Sequence, residues 1–143
     1  MLSNAERAAV LVRGIEASVA GDSGVIARLY TTDVMGWSPA LSVSSAAELA
    51  GEFEDREDVF SDIELDVTPL DVSGDRACVE WVATATHSGP LVVDDDVVIE
   101  PTGLRCQLRG VTVAEFDGDR IRSFRQYSDE VSLIEQLGLL PDG

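Results

Sequence analysis

Three side chains in this sequence have the chemistry to move protons in a pocket, namely Asp33, His87 and Asp129. His87 is the only histidine of the chain, and an unperturbed imidazole titrates near pH ~6.5, so it can act as an acid, a base or a neutral donor. A carboxylate in apolar surroundings has a raised pKa, which suits the removal of a proton next to a carbonyl group. These three residues are our candidate catalytic groups.

Each of these candidates also has a structural interpretation. Asp129 directly precedes the segment EVSLIEQLG, where an aspartate can cap the first turn of a helix, and capping is the role that we favour for it. Asp33 follows a predicted helix, where aspartates commonly bond the local backbone. His87 stands before Ser88-Gly89-Pro90 and can fix that turn by a hydrogen bond, so both interpretations of the histidine stay open.

A second group of residues is suited to holding a small oxygenated molecule. Tyrosine and tryptophan offer an apolar ring with one polar donor, although buried aromatic residues are more commonly plain core. An arginine on a predicted strand can pair with Asp33 or Asp129, although ion pairing on a solvated face is the commoner role. The candidate ligand-binding residues are Tyr30, Trp37, Trp81, Arg109, Gln126 and Tyr127.

No metal centre or other cofactor is predicted. His87 has no second histidine to share the ligation of a metal ion. Cys78 and Cys106 lie in separate apolar segments without CxxC spacing, which indicates two reduced thiols rather than a metal site or a disulfide. Asp94-Asp95-Asp96 lacks the alternating ligand spacing of a calcium loop and is interpreted as a solvated loop.

Charge and length narrow the class of protein. The 143 residues contain 10 Lys+Arg, every one an arginine, against 27 Asp+Glu, for a formal net charge of -17. Such a surface repels phosphate backbones and anionic lipid heads, so we expect neither nucleic-acid nor membrane partners. The amino-terminal segment, with its spread charges, predicts neither a signal peptide nor a membrane span. We expect one domain over residues 1–143, located in the cytoplasm.

Capping signals start the predicted helices, and apolar residues at helical intervals follow them. The first predicted helix runs from Asn4 to Ala20 and has a capping box at Ser3 and Glu6. The second runs from Asp22 or Ser23 to about Tyr30. The third starts with a capping box at Ser45 and Glu48 and carries Leu49, Phe53 and Phe60 on one stripe. A short extended piece is expected around Val34 to Trp37.

From Ile63 onward the apolar period changes to two, which predicts long strands. Ser73-Gly74-Asp75 and Asp117-Gly118-Asp119 are the turn signals between them, and a short closing helix follows Asp129. Helices followed by a meander of antiparallel strands define an α+β roll, with the helices on one face of a curved sheet.

Strand parity assigns the candidates to the faces of that sheet. His87 shares parity with Trp81, which places it on the apolar face. Asp129 shares parity with Ile121 and Tyr127 and ends the last strand, where the mouth of a cavity would lie. Small hydrophobic ligands usually occupy apolar pockets with a few convergent polar groups, so the space between sheet and helices is the expected binding site.

Motifs along nearly the whole chain resemble the SnoaL-like polyketide cyclase branch of the nuclear transport factor 2-like superfamily. This resemblance implies the same α+β roll, with three helices packed on a curved antiparallel sheet, and a homodimer formed through the sheet. The matching segments are Ala85 to Pro90 (family GTHTGxF), Pro101-Thr102-Gly103 (PTG), Phe116 to Ile121 (fxDGKI), Tyr127-Ser128-Asp129 with Leu133 and Gln136-Leu137-Gly138 (YfD…LLxQLG), and Tyr30, Asp33, Trp37 and Pro39 in the first half.

One departure from the family pattern affects the expected chemistry. The cyclases of this family carry an EHWD segment on the last strand, whose aspartate serves as acid and base, and the corresponding position here is Gln126, which cannot abstract a proton. The resemblance implies a small-molecule-binding protein, with cofactor-independent cyclase or isomerase chemistry on a hydrophobic oxygenated ligand as the enzymatic form. A non-catalytic binding or dimerisation module and an epoxide hydrolase-like enzyme, with Arg109 between two aspartates, are the alternatives.

Overall fold

The computed structural model describes residues 3–20, 22–38, 41–52, 59–94 and 97–138. Helices precede a curved, mainly antiparallel sheet, and a short helix closes the chain, as the predicted α+β roll requires. The elements are α1 (Asn4–Ala20), α2 (Ser23–Leu29), β1 (Tyr30–Ser38), β2 (Leu41–Val43), α3 (Ala46–Glu52), β3 (Phe60–Ser73), β4 (Arg76–His87), β5 (Leu91–Asp94), β6 (Val97–Ile99), β7 (Arg105–Asp117), β8 (Arg120–Ser128) and α4 (Glu130–Gln136).

Each of the first three helices starts at a predicted capping signal. The hydroxyl of Ser3 accepts the backbone N–H of Glu6 at 3.1 Å, and the Glu6 carboxylate accepts the backbone N–H of Ser3 at 3.1 Å. Asp22 accepts the N–H of Val25 ahead of α2. The hydroxyl of Ser45 accepts the N–H of Glu48 at 3.1 Å ahead of α3. These side chains satisfy N–H groups that the first turn of a helix leaves without partners.

The third helix differs from its prediction at its far end. Leu49 is buried on the predicted stripe, whereas Phe60 begins β3 and pairs with His87 of β4. Phe53 lies outside the described residues. Phe60 sits in the sheet because a strand that pairs with the whole of β4 must begin opposite His87.

The main sheet has six strands in the order β2-β1-β8-β7-β4-β3. Only β1 and β8 pair in parallel; the other neighbours are antiparallel. Gly74 and Gly118 adopt φ values of 60° and 62° in the two predicted hairpin turns, a conformation that glycine reaches without strain. The extended piece expected around Val34 to Trp37 is a longer strand, β1, that carries the short partner β2.

A bulge in β8 reverses the predicted parity of the last strand. Phe116 pairs with Ile121, but the preceding residue Glu115 pairs with Ser123, so Arg122 is an extra residue in β8. An extra residue turns every later side chain of a strand to the opposite face. Ile121 therefore faces the core while Tyr127 faces outward, and Gln126 faces inward.

The acidic segment after His87 forms structure that the sequence did not predict. Leu91 to Asp94 and Val97 to Ile99 pair as a two-stranded antiparallel sheet, β5 and β6, apart from the main one. The predicted loop at Asp94 therefore holds the end of a strand, while 95 and 96 lie outside the described residues. Adjacent β-branched residues on either side of the acidic run, Val92-Val93 and Val97-Val98-Ile99, are the β-forming signal here.

The closing helix is attached to the sheet by a side-chain amide. Beyond the end of β8 the edge of β7 has no strand partner, and Gln136 takes that place. Its Oε1 accepts the N–H of Gln107 at 2.8 Å, and its Nε2 donates to the carbonyl of Gln107 at 2.8 Å. Leu133 and Leu137 of this segment pack on Cys106 in a small second core.

Candidate functional site

A small cavity lies between α1, α3 and the inner face of the sheet, where the roll was expected to bind its ligand. Its volume is about 20 Å³, which is enough for roughly one water molecule. None of its lining residues is charged, and four of them are polar. The lining residues are Ile15, Ser18, Val19, Tyr30, Leu49, Thr112, Phe124 and Gln126.

Tyr30 is a fully enclosed phenol at the wall of this cavity. Its side chain is 3% exposed, and its hydroxyl lies 3.5 Å from the hydroxyl of Ser18, which donates to the carbonyl of Gly14 at 2.9 Å. Burial raises the pKa of Tyr30 to about 12 because the phenolate would lose its hydration, and the contact with Ser18 offsets only part of this. The hydroxyl is therefore a neutral hydrogen-bond donor at physiological pH.

Trp81 and Thr112 form a polar contact in the core beside the cavity. The indole Nε1 of Trp81 donates to the hydroxyl of Thr112 at 2.9 Å, and both side chains are buried. The six-membered ring of Trp81 covers Gly110, where a Cβ atom would come within 2.3 Å of it. The indole donor is thus already used inside the protein, and Trp81 shapes the wall without lining the cavity.

Gln126 reaches the cavity because of the bulge in β8. It pairs with Thr112 on the inner face and is half-buried. Among the described residues, its side-chain amide has no hydrogen-bond partner. An amide offers both a donor and an acceptor, so Gln126 is free to bind a carbonyl or a hydroxyl group.

His87 is completely buried at the end of β4, some distance along the strand from this cavity. Its Nδ1 accepts the backbone N–H of Thr102 at 3.2 Å and lies 3.0 Å from the Thr102 hydroxyl. Its backbone bonds Gly103 and Leu104, so the residue fixes the start of the 101–104 segment. The other ring nitrogen, Nε2, is buried and has no partner within the described part of the chain, an arrangement that costs about 1–3 kcal/mol.

The two candidate carboxylates do not meet in a pocket. Asp129 is exposed, and its Oδ1 accepts the N–H of Ser132 at 3.0 Å, so it caps α4 as the structural interpretation predicted. Asp33 is exposed on β1. Arg109 is exposed on the outer face of β7, and no ion pair found among the described residues includes it. The arrangement Asp–Arg–Asp is not assembled in this structure.

Trp37 and Tyr127 lie together on the outer face of the sheet. Their ring centroids are 5.5 Å apart, and the side chains are 44% and 51% exposed. Trp37 borders a groove of about 360 Å³ whose wall includes Met35 and Arg125. The predicted ligand-binding residues are therefore divided between two faces, with Tyr30 and Gln126 inside and Trp37 and Tyr127 outside.

Sequence reasoning missed two polar residues of the inner cavity, Ser18 and Thr112. Ser18 continues the apolar stripe of α1 that contains Leu11 and Ile15. Thr112 occupies one of the alternating buried positions of β7. The signal that could have identified both is a polar residue at a position where the helical or alternating pattern predicts a buried apolar one. Thr102, which holds His87, was named only as part of a motif.

Two features are absent from the described residues. Within the described ranges, no helix has the length and apolar character needed to cross a bilayer. The same residues bring together no group of three or more His, Cys, Asp or Glu side chains that could hold a metal ion.

Helices that cover the inner face of a curved sheet, with a small polar cavity beneath them, define a protein of the ketosteroid isomerase-like fold. The family model of the SnoaL-like polyketide cyclases matches residues 9–137. The chain therefore belongs to this family. A comparison with curated proteins finds no significant match.

Solved structures extend the similarity over almost the whole chain. AclR from Streptomyces galilaeus, a proposed hydroxylase, is 27% identical with a TM-score of 0.79, covering 98% of this chain and 89% of that chain. TsrD from Streptomyces laurentii is 18% identical with a TM-score of 0.81, covering 98% and 100%. A proposed polyketide cyclase from Acidithiobacillus ferrooxidans is 21% identical with a TM-score of 0.79, covering 96% and 98%.

Proposed function

We propose that this protein binds a small, uncharged, hydrophobic molecule that carries a carbonyl or hydroxyl oxygen, in the inner cavity. The observation that carries the proposal is the convergence of four uncharged polar side chains, Ser18, Tyr30, Thr112 and Gln126, on one apolar space. The amide of Gln126 and the hydroxyl of Tyr30 are the groups that would bond the ligand oxygen. Phe124, Leu49 and Ile15 supply the apolar walls.

Ligand binding requires the cavity to expand. Its volume of about 20 Å³ accommodates a water molecule, whereas ligand sites commonly measure hundreds of Å³. The helices α1 and α3 contribute Ile15, Ser18 and Leu49 to the wall, and their movement away from the sheet would create the space. A water held at the polar groups would leave as the ligand enters.

The chemistry of the lining favours binding and polarisation over proton removal. Gln126 cannot abstract a proton, and Tyr30, with its pKa of about 12, stays protonated. Hydrogen bonds to a carbonyl oxygen stabilise negative charge that develops there, which is the electrostatic part of cyclase and isomerase catalysis. A cofactor-independent cyclase or isomerase is the second candidate, and membership of the polyketide cyclase family favours it.

A matched pair of bicyclic probes tests the binding proposal. The ketone 1-tetralone offers a carbonyl oxygen, and the hydrocarbon tetralin has nearly the same shape without it. We expect 1-tetralone to raise the melting temperature more than tetralin does, because only the ketone can bond Gln126 and Tyr30. The readout is thermal unfolding monitored by tryptophan fluorescence at increasing probe concentration.

Two variants locate the binding. Gln126→Leu removes the inner amide, and Gln107→Leu makes the same change on the exposed side of β7. The advantage of the ketone over the hydrocarbon should shrink in Gln126→Leu and remain unchanged in Gln107→Leu. An equal advantage in the wild type and in Gln126→Leu would contradict the proposal.

We also propose that the outer face of the sheet joins two copies of the chain. Met35, Trp37 and Tyr127 are exposed there, with half-buried Val111 and Val113 beside them. An exposed apolar surface on a sheet of this kind is a common protein contact. In the described structure Cys78 and Cys106 form no disulfide, which suits the cytoplasm as the location of such a dimer.

Sedimentation equilibrium tests the dimer. The wild type should sediment at twice the chain mass of 15.3 kDa, and Trp37→Ser should shift the population toward one chain. Val131→Ser removes an even more exposed apolar side chain from α4 and should leave the dimer intact. A wild-type monomer at high concentration would contradict this proposal without affecting the inner cavity.

A further inference from the structure

His87 carries a hydrogen-bond donor that no described residue of the protein accepts. The backbone N–H of Thr102 points at Nδ1, and an N–H can only donate, so Nδ1 must be the unprotonated nitrogen of the ring. The Thr102 hydroxyl accepts the N–H of Leu104 at 3.2 Å, which leaves its own proton free to donate to Nδ1 as well. The ring is therefore the neutral tautomer with its proton on Nε2.

The proton on Nε2 has no acceptor among the described residues, although the side chain is 0% exposed. Buried polar groups in native proteins are almost always paired, so an orphan donor needs an explanation. Sites that bind a ligand are one place where a protein keeps such a group without a partner.

The surroundings of the ring are apolar. The ring centroid of Phe60 lies 5.8 Å away, and Phe60 packs on the second core formed by Cys106, Leu133 and Leu137. The cation nearest along the adjoining strand, Arg105, is exposed and bonds the carbonyl of Asp62 and the hydroxyl of Thr86. Among the described residues an anion at Nε2 would have no countercharge, whereas a neutral oxygen on an apolar skeleton needs none.

This position is separate from the inner cavity. Thr112 of the cavity pairs with Val79, and His87 lies eight residues further along β4. At ~3.3 Å per residue the two positions are roughly 26 Å apart along the strand. One small bicyclic molecule cannot contact both.

We propose that the Nε2–H group of His87 is a second recognition point, which binds the carbonyl oxygen of an uncharged hydrophobic molecule against Phe60 and the second core. The backbone of Thr102 orients the ring by fixing its tautomer. The inference does not depend on ligand binding at Gln126, because the residues and the hydrogen-bond donor are different.

The single histidine makes the test direct. Incorporating histidine labelled with ¹⁵N in the ring gives signals from one imidazole only, so no variant is needed to assign them. We expect the folded protein at neutral pH to show a protonated Nε2 and a bare Nδ1. A protonated Nδ1 would overturn the proposal, since the donor would then face Thr102.

The same probes then test the ligand. Addition of 1-tetralone should move the Nε2 proton signal downfield in a saturable manner, and tetralin should not, because only the carbonyl accepts the hydrogen bond. No movement, equal movement with both probes, or a persistent exchange signal between Nε2–H and water at saturating ketone would each overturn it. The last outcome would show that a buried water serves the donor.

Gln126→Leu separates the two sites in this experiment. The response of the His87 signal should be unchanged in that variant even when its thermal stabilisation by the ketone is reduced. A response that vanishes together with the stabilisation would show that His87 only senses binding elsewhere, and it would overturn the second recognition point while supporting the first.

Discussion

At the scale of single residues, burial of Tyr30 makes the free energy of unfolding depend on pH at alkaline values. Its phenol has a pKa raised from 10.0 to about 12, because burial penalises the phenolate. Below pH 10 the phenol is neutral in the folded and the unfolded chain. Between pH 10 and 12 only the unfolded chain releases the proton, so the free energy of unfolding falls as the pH rises. Two pKa units correspond to roughly 3 kcal/mol.

Tyr30→Phe isolates this contribution. Urea unfolding at pH 8 and at pH 11.5 should show a larger loss of stability for the wild type than for the variant, because phenylalanine has no proton to release. Tyr127→Phe, at the exposed outer tyrosine, is the control and should behave as the wild type. Equal losses for Tyr30→Phe and the wild type would show that the Tyr30 phenol does ionise inside the folded protein.

The packing of Trp81 leaves no room for a side chain at Gly110. A Cβ atom there would lie 2.3 Å from the ring of Trp81, which is itself held by Thr112. We expect Gly110→Ala to destabilise the protein by about 1–3 kcal/mol through overpacking, measured by urea unfolding. Gly51→Ala is the matched control: its new Cβ meets no atom within 4 Å on α3, and alanine favours helices, so it should be neutral or stabilising. Similar losses in both variants would contradict the packing argument.

At the scale of elements, Asp129 stabilises the first turn of α4. Its carboxylate accepts the N–H of Ser132 at 3.0 Å. Asparagine also accepts this bond and alanine does not, so Asp129→Asn should keep the melting temperature while Asp129→Ala loses about 1 kcal/mol of stability. The measurement is thermal unfolding by circular dichroism.

The same pair of variants addresses catalysis by Asp129. If a turnover assay becomes available, loss of activity in Asp129→Asn with unchanged stability would assign the carboxylate a chemical role beyond the cap. Equal destabilisation in Asp129→Asn and Asp129→Ala would instead show that charge at the start of α4, rather than the capping bond, is what stabilises this helix.

Elements with strong local signals could be predicted from the sequence. The bounds of α1 and β4 follow the capping box and the alternation of apolar residues. The extra residue Arg122 in β8 has no local signal, because nothing in the sequence marks which strand of a hairpin carries a bulge. That one residue decides that Gln126 faces the cavity and Tyr127 faces outward.

The candidate site was harder to predict than the elements that carry it. Ser18 and Thr112 become site residues only because residues of α1, β7 and β8 line the same cavity, a tertiary arrangement that periodicity does not contain. His87 was correctly placed on the apolar face, but its partner Thr102 is fifteen positions away and could be recognised only in the folded chain. The chemistry of the residues therefore indicated which polar groups a site could use, and the fold determines which of those groups lie together.

At the scale of the whole molecule, charge opposes compactness. A formal net charge of -17 is confined to one small fold, and the ion pairs found, such as Arg76 with Glu115, lie largely at the surface. Repulsion among the carboxylates falls when salt screens it, since the Debye length shortens from about 30 Å at 0.01 M to about 10 Å at 0.1 M. Screening of the few surface ion pairs acts in the opposite sense but is worth less than about 1 kcal/mol for each pair.

We therefore expect stability to rise with ionic strength. The urea midpoint at neutral pH should increase between 0.01 M and 0.3 M sodium chloride, with most of the gain at the lower concentrations, where the Debye length changes most. Tetramethylammonium chloride at the same ionic strength should give the same increase, because screening depends on charge and not on the identity of the cation. An increase with sodium alone would indicate a bound cation, and a decrease with both salts would show that attractive ion pairs outweigh the repulsion of the excess carboxylates.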